Sequence, residues 1–243
     1  MPQQLDEDLH RSLALFRAFR VEQTDPDRFY RLLAADAVAQ VSRYADLDSQ
    51  TVLDVGGGPG YFADAFRSAG ATYLPVESDV GELAALGAPS PGAVLGDGMR
   101  LPVRDGAVDV TFSSNVLEHV PDPRRMADEM VRVTRAGGLV WLSFNSWFAP
   151  NGGHETAPWH YLGGGYARRR YVRRQGREPK NRFGETLFAL RVTDMLGWAR
   201  RCPHVDLVTA QPRYHPSWAQ WVVRVPVLRE VAVWNLLLVL RRR

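Results

Sequence analysis

The chain has 243 residues, 45% of them hydrophobic and 23% charged, enough for one well-buried core and outside the composition of disordered or fibrous chains. The single cysteine, Cys202, excludes an intramolecular disulfide, and no apolar run near the start reads as a signal peptide, so a cytoplasmic protein is expected. A net charge of +3 permits contact with phosphates or acidic lipids without requiring it, and because Lys180 is the only lysine, chemistry that needs two lysines is excluded.

Leu5, Leu9, Leu13 and Phe16 recur every three or four residues and predict an amphipathic first helix. Asp25-Pro26, a cap followed by a first-turn proline, predicts a second helix running through Phe29, Leu32, Leu33, Val38 and Val41. From residue 51 short apolar runs alternate with helical segments. Strands are expected at 51–55, 72–76, 93–95, 108–113 and 139–144, with helices such as 61–68 and 124–133 between them. That alternation predicts βαβ units and a parallel sheet. Residues 145–182 break the regularity with many glycines, with Trp147, Phe148, Trp159 and Tyr161, and with a run of seven arginines from Arg168 to Arg182 near Tyr166 and Tyr171. They read as an insertion, the kind of segment that carries function more often than fold. Thr193-Asp194 is expected to cap a short helix to residue 201, a strand is expected at 205–210, and the last apolar run, 234–240, ends in three arginines.

The segment Asp54-Val55-Gly56-Gly57-Gly58-Pro59-Gly60 joins an apolar strand to a helix. Glycines let the backbone approach a ligand where a Cβ would clash, and the helix that follows offers unpaired N–H groups. A nucleoside-type cofactor is the expected ligand, although a tight turn without any ligand has the same pattern. Context favours the ligand. Glu77 ends the second strand about twenty residues on, where a carboxylate can accept both hydroxyls of a ribose. Asp97-Gly98 follows the third strand, and Ser113 to His119, reading SSNVLEH, closes the fourth on the same edge. A nicotinamide-binding loop would put its third glycine at position 61, which is Tyr61, and a short-chain reductase would need a tyrosine four residues before Lys180, where Gly176 stands.

VLDVGGGPGYF, the acid Glu77, GDGMRLPVRDGAVDVTFSSNVLEHVPDP and RVTRAGGLVWLSF, in that order across about residues 50–145, resemble class I S-adenosylmethionine-dependent methyltransferases of the small-molecule, UbiE-like group. The resemblance implies an α/β fold, a doubly wound seven-stranded and mostly parallel Rossmann-like sheet, with the last run inserted antiparallel beside the 205–210 strand. It implies S-adenosyl-L-methionine as cofactor. Asp54, Gly56, Gly57, Gly58, Gly60 and Tyr61 would shape the methionine pocket, Glu77 and Ser78 would hold the ribose, Asp97, Gly98 and Met99 would flank the adenine, and backbone at Asn115 and Val116 would lie under the donor. Gly57 departs from many relatives, which carry cysteine or another small residue there. The expected organisation is an N-terminal helical cap at 1–48, a donor-binding core at 49–145, an acceptor-site insertion at 146–185, and the rest of the core at 186–243.

Methyl transfer to a hydroxyl requires the hydroxyl to lose a proton, so a histidine or carboxylate must stand within reach of it. The insertion supplies His154, Glu155 and His160 as candidate catalytic residues. Their alternative role is to pin the insertion through hydrogen bonds. No metal site is expected, because His154, Glu155 and His160 lack the spacing of a helical H-E-x-x-H and Pro158 interrupts any helix there. His119 reads as packing. The expected acceptor is a small molecule, a sugar or a lipid-linked compound. A nucleic acid, RNA in particular, is the second expected acceptor, disfavoured because Asn115-Val116-Leu117-Glu118 stands where nucleic-acid enzymes of this kind commonly carry an Asn/Asp-Pro-Pro-aromatic motif. A methyl-donor-binding protein without turnover is the alternative outside catalysis. The final run is too short to span a membrane, while Trp218, Trp221, Val222, Val225 and Leu228 are expected to cover the core or the acceptor pocket, with peripheral contact at a membrane surface as a second expectation.

Overall fold

The computed structural model describes residues 2–19 and 25–243. Its elements run α1 (Pro2–Phe19), α2 (Pro26–Val41), β1 (Thr51–Val55), α3 (Ala63–Ser68), β2 (Thr72–Glu77), α4 (Val80–Leu83), β3 (Val94–Leu95), β4 (Val108–Ser114), α5 (Pro123–Val133), β5 (Thr134–Asn145), α6 (Gly164–Gln175), α7 (Val192–Arg201), β6 (Val205–Pro212), α8 (Leu228–Ala232) and β7 (Asn235–Arg242). The seven strands form one sheet in the order β3-β2-β1-β4-β5-β7-β6. β1 through β5 pair in parallel, and β7 lies antiparallel between β5 and β6. The strand order reverses between β1 and β4, the switch point at whose carboxyl edge such sheets bind ligands.

Side-chain alternation divides the core between the two faces. Leu53, Val55, Val140 and Leu142 pack on one side against Met126 and Met130 of α5 and Met195 and Leu196 of α7. Val52, Phe112 and Trp141 pack on the other against Leu33 of α2 and Phe66 of α3. In β7, Leu236, Leu238 and Leu240 join the first cluster, and Leu237 and Val239 join the second. A strand buried on both faces reads as an unbroken apolar run, which accounts for the membrane-like look of 234–240. No described helix is long and apolar enough to cross a membrane.

Two local expectations are corrected. Among the described side chains of α1, Leu15 and Ala18 are buried, while Leu9, Leu13 and Phe16 of the predicted stripe are 40–45% exposed; the side chain of Leu5 lies outside the described residues. The 3.6-residue period fixed the helix but not which face meets the sheet. The other correction concerns α7, which starts at Val192 rather than after a Thr193-Asp194 cap. Its amides at Val192 and Thr193 donate to the Glu230 carboxylate at 3.0 and 2.9 Å, so the cap comes from α8.

The insertion folds as two single 3-10 turns, His154–Thr156 and Trp159–Leu162, separated by Pro158, and then α6. It sits flush on the end of β5 because position 152 has no side chain. A Cβ at Gly152 would stand 2.2 Å from the Trp147 carbonyl oxygen and 2.3 Å from that of Ser146. Part of the arginine run is neutralised within the insertion. Arg168 pairs with Glu178 and Glu185 at 2.8 and 2.6 Å, Arg182 pairs with Glu185, and the Arg170 guanidinium lies 3.8 Å over the Trp159 ring.

Candidate active site

β1 delivers Asp54 to the carboxyl edge with its side chain buried. The Tyr73 hydroxyl donates to Asp54 Oδ2 at 2.5 Å, and burial, with the nearby Glu77 charge adding to it, pushes the carboxyl up to about 7. The turn that follows needs glycine. Gly56 has φ +78° and its Cβ would fall 2.5 Å from a Val116 methyl, whereas Gly58, at φ +51°, has nothing within 4 Å of a Cβ position. The loop therefore packs against Val116 at Gly56 and against Ser90 at Gly60, and opens to free space between them at Gly58. Glycine at position 57 has a local reason, since a Cβ there would press on Pro75 at 2.9 Å and on the Asp54 carboxylate at 3.1 Å.

Glu77 closes the loop from the end of β2. Its Oε2 accepts from the Gly58 amide at 3.1 Å and its Oε1 from the Ser78 and Asp79 amides at 2.7 and 3.0 Å. Asp97 accepts from the Met99 amide at 2.8 Å, and Gly98 lies against Val55 and Met126, so the turn after β3 stays at the same edge. Tyr61 stacks face to face on Tyr30 of α2 with ring centroids 3.9 Å apart, which brings the N-terminal helices beside the loop. Arg67 donates to Ser90 and Pro91 and draws the 84–92 loop over the same turn. Neither Tyr30 nor Ser90 carries a sequence signal that would have singled it out.

Beyond Asn115, which has φ +60°, the edge becomes polar. Asn115 Nδ2 donates to the Tyr214 hydroxyl at 3.3 Å, and its carbonyl oxygen accepts from Asn235 at 2.7 Å. Arg213, 1% exposed, donates to Ser114 and Ser143 at 2.7 and 2.9 Å and lies 4.6 Å over the Trp141 ring. Glu118, also 1% exposed, accepts from the backbone and side chain of Asn145 through Oε1 at 3.1 and 2.8 Å, while its Oε2 is buried without a partner. Burial raises its pKa. His119 Nδ1 donates to the Thr186 carbonyl at 2.8 Å, and its ring lies 5.1 Å from that of His154.

The three candidate catalytic residues of the insertion separate. His154 reaches the edge with its Nε2 buried and unpartnered, and burial, reinforced by the charges of His119 and His160, pushes its pKa down to about 3. His160 is 1% exposed, donates through Nε2 to the Ala149 carbonyl at 3.2 Å and packs edge-on to Trp147. Glu155 is exposed and accepts from Asn181 at 3.1 Å. His154 therefore joins His119 and Glu118, and not Glu155 and His160.

Residues 53–142 match the model of a methyltransferase domain. Proteins described as uncharacterized methyltransferases are similar over nearly the whole length: one from Mycolicibacterium gilvum is 52% identical over 96% of this chain and 94% of its own, and one from Mycobacteroides abscessus is 49% identical over 97% and 95%. The chain belongs to this methyltransferase family. A solved S-adenosylmethionine-dependent methyltransferase from Mesorhizobium loti shares the fold, with a TM-score of 0.59 at 19% identity over 86% of this chain and 98% of that one.

The methyltransferase edge fits S-adenosylmethionine. Gly58 leaves open the space that a side chain would fill, and Glu77 and Asp97 set two carboxylates along the edge where hydroxyl and amino groups need acceptors. The Asn115–Val116 backbone runs across the foot of the loop, fixed there by Gly56 against Val116. Arg213, Tyr214 and Asn235 complete the methyltransferase edge from the C-terminal strands, residues that no local motif marked.

Proposed function

We propose that the protein transfers the methyl group of S-adenosyl-L-methionine to a hydroxyl oxygen on a small-molecule, sugar or lipid-linked acceptor bound between the carboxyl edge of the sheet and the insertion. The bound donor supplies a methyl carbon activated by a sulfonium. The chain's own part is to align the acceptor oxygen with that carbon, keep water out, and accommodate the hydroxyl proton. The observation that carries the reading is the group of Glu118, His119 and His154 just past Asn115–Val116, with one carboxylate oxygen and one imidazole nitrogen unpartnered. A neutral amine acceptor would not need such a group. His160 and Glu155 act in this reading by holding the insertion, through Ala149 and Asn181.

A lipid-linked acceptor is favoured by a further observation. Trp218 and Trp221, 61% and 50% exposed, stand near exposed Val227 and Val231, and the 3-10 segment Ser217–Arg224 that carries them packs against α1, whose Leu9, Leu13 and Phe16 face outward. Arg17 of α1 and Arg224 of the 3-10 segment are also exposed, and basic side chains on these two apolar elements suit an anionic membrane surface.

The test is to incubate labelled S-adenosylmethionine and the protein with cell extract divided into lipid, polysaccharide, RNA and soluble metabolite fractions. Label is expected as an alkali-stable ether in the lipid, polysaccharide or metabolite fraction. Label confined to RNA, or to amino groups, would overturn the reading. With the acceptor in hand, His154→Ala is expected to lose about 100-fold or more in turnover, whereas full turnover by both His154→Ala and His160→Ala would remove the proton-handling role.

A further inference from the structure

Glu118 and His119 come from the turn after β4, and His154 comes from the first turn of the insertion, yet one ligand atom from each lies within 4.8 Å of the other two. Their hydrogen bonds to other groups leave an atom on each that is not taken up. Asn145 takes Glu118 Oε1 and leaves Oε2 without a partner in the interior; the Thr186 carbonyl takes the Nδ1 proton of His119 and leaves the Nε2 lone pair; His154 Nε2 is buried and unpartnered. An imidazole whose second nitrogen donates to a backbone carbonyl is the arrangement that fixes a metal-binding tautomer. A buried carboxylate oxygen with no donor carries a large desolvation cost, and a cation removes it.

We infer that Glu118, His119 and His154 hold a divalent transition-metal ion of the zinc type. Two imidazoles and a carboxylate are a donor set of that ion, and three protein ligands leave a coordination position open. Tetrahedral bonds of about 2 Å set ligand atoms roughly 3.3 Å apart, so modest side-chain rotations draw the three atoms onto the ion. The catalytic role of the ion rests on the hydroxyl-acceptor reading. An acceptor hydroxyl entering the open position is acidified and gives its proton to solvent as it binds, before the seated acceptor excludes water. The oxygen pair then forms the O–C bond while the C–S bond of the donor breaks, its electron pair passing to sulfur. His154 is then a ligand and not the general base.

The full-length protein, stripped with a chelator and dialysed, is titrated calorimetrically with zinc ion, and with cobalt ion while its visible absorption is followed. Neither measurement needs donor or acceptor, so failure of the acceptor reading and failure of the metal site are told apart. One ion per chain is expected, with a cobalt spectrum of low coordination number. Glu118→Gln, His119→Ala and His154→Ala are each expected to weaken binding at least tenfold. Retained circular dichroism and retained S-adenosylmethionine binding show that each variant folds. Cys202 and His204, which line a cavity at the start of β6, are the alternative soft ligands. Cys202→Ser with His204→Ala is expected to leave the titration unchanged. The proposal is overturned if the unaltered protein takes up no ion, if the three variants bind like it, or if the Cys202/His204 variant abolishes uptake.

Discussion

At the scale of single residues, Asp54 makes stability depend on pH. Its ordinary carboxyl value is 3.8 and its folded value is about 7, so the folded cofactor-free chain binds the proton more tightly than the unfolded one. The stabilisation is fully present below 3.8 and is lost as pH rises through about 7. Urea unfolding of the cofactor-free protein is expected to give a stability lower at pH 8 than at pH 5 by about 3 kcal/mol from this group, and Asp54→Asn is expected to remove that difference. The two positive-φ glycines of the loop are expected to behave differently. Gly56→Ala forces a Cβ onto Val116 and should disrupt the loop itself, with losses in both thermal stability and donor affinity. Gly58→Ala meets no protein atom, so its stability cost stays near ~1 kcal/mol of backbone strain while affinity for S-adenosylmethionine falls about tenfold or more, measured by calorimetry. The sequence made Asp54, the glycines, Glu77 and Asp97 legible because each lies at the end of a strand or within a few residues past it. It was silent on Arg213, Tyr214 and Asn235, whose distance from Asn115 along the chain exceeds any local pattern.

At the scale of elements, the boundaries that were legible are those with chemistry at the ends. Asp25, read from the sequence as a cap before Pro26, accepts from the Arg28 amide at 3.2 Å; Asp122 before Pro123, not among the expected caps, caps α5 in the same way through the Arg125 amide at 3.0 Å. α7 was misread because its cap arrives from Glu230, far along the chain. Glu230→Ala leaves the buried Val192 amide and the half-buried Thr193 amide unpaired and is expected to cost ~1–3 kcal/mol, read as a lower melting temperature with donor binding retained. The insertion depends on Gly152. A Cβ there collides with backbone oxygens that have no room to move, so Gly152→Ala is expected to lift the first turn of the insertion from β5. Hydrogen exchange should quicken at residues 153–163 while β1 to β4 stay protected, and displacement of His154 should lower turnover.

At the scale of the whole molecule, apolar surface is divided unevenly. β7 is buried from Asn235 to Leu240, while α1 and the Ser217–Arg224 segment expose large apolar side chains. If that surface meets a membrane, the protein should sediment with anionic vesicles, release with salt, and lose binding when Trp218 and Trp221 are both changed to serine, with unaltered donor affinity. No sedimentation with anionic vesicles would remove the membrane contact and leave the donor site untouched. The seven-stranded, mostly parallel sheet followed from alternating strand and helix signals together with the family resemblance, while its strand order is a finding of the structure; Asp54, Glu77 and Asp97 lie at one edge because in a parallel sheet consecutive strand ends converge there. What sits opposite the donor was decided only in three dimensions. Periodicity shows that a segment has a buried face but not what it is buried against, which is why α1 turned a different stripe inward. The insertion's histidines could be grouped by sequence only with each other, as His154, Glu155 and His160. Folding instead carried His154 to Glu118 and His119 through Gly152, and sent His160 into the insertion's own packing. Local sequence set the glycine loop because backbone conformation and strand ends are local properties; the grouping of Glu118, His119 and His154, and that of Asn115, Tyr214 and Asn235, was set by tertiary packing because these side chains meet across segments that are distant in the chain.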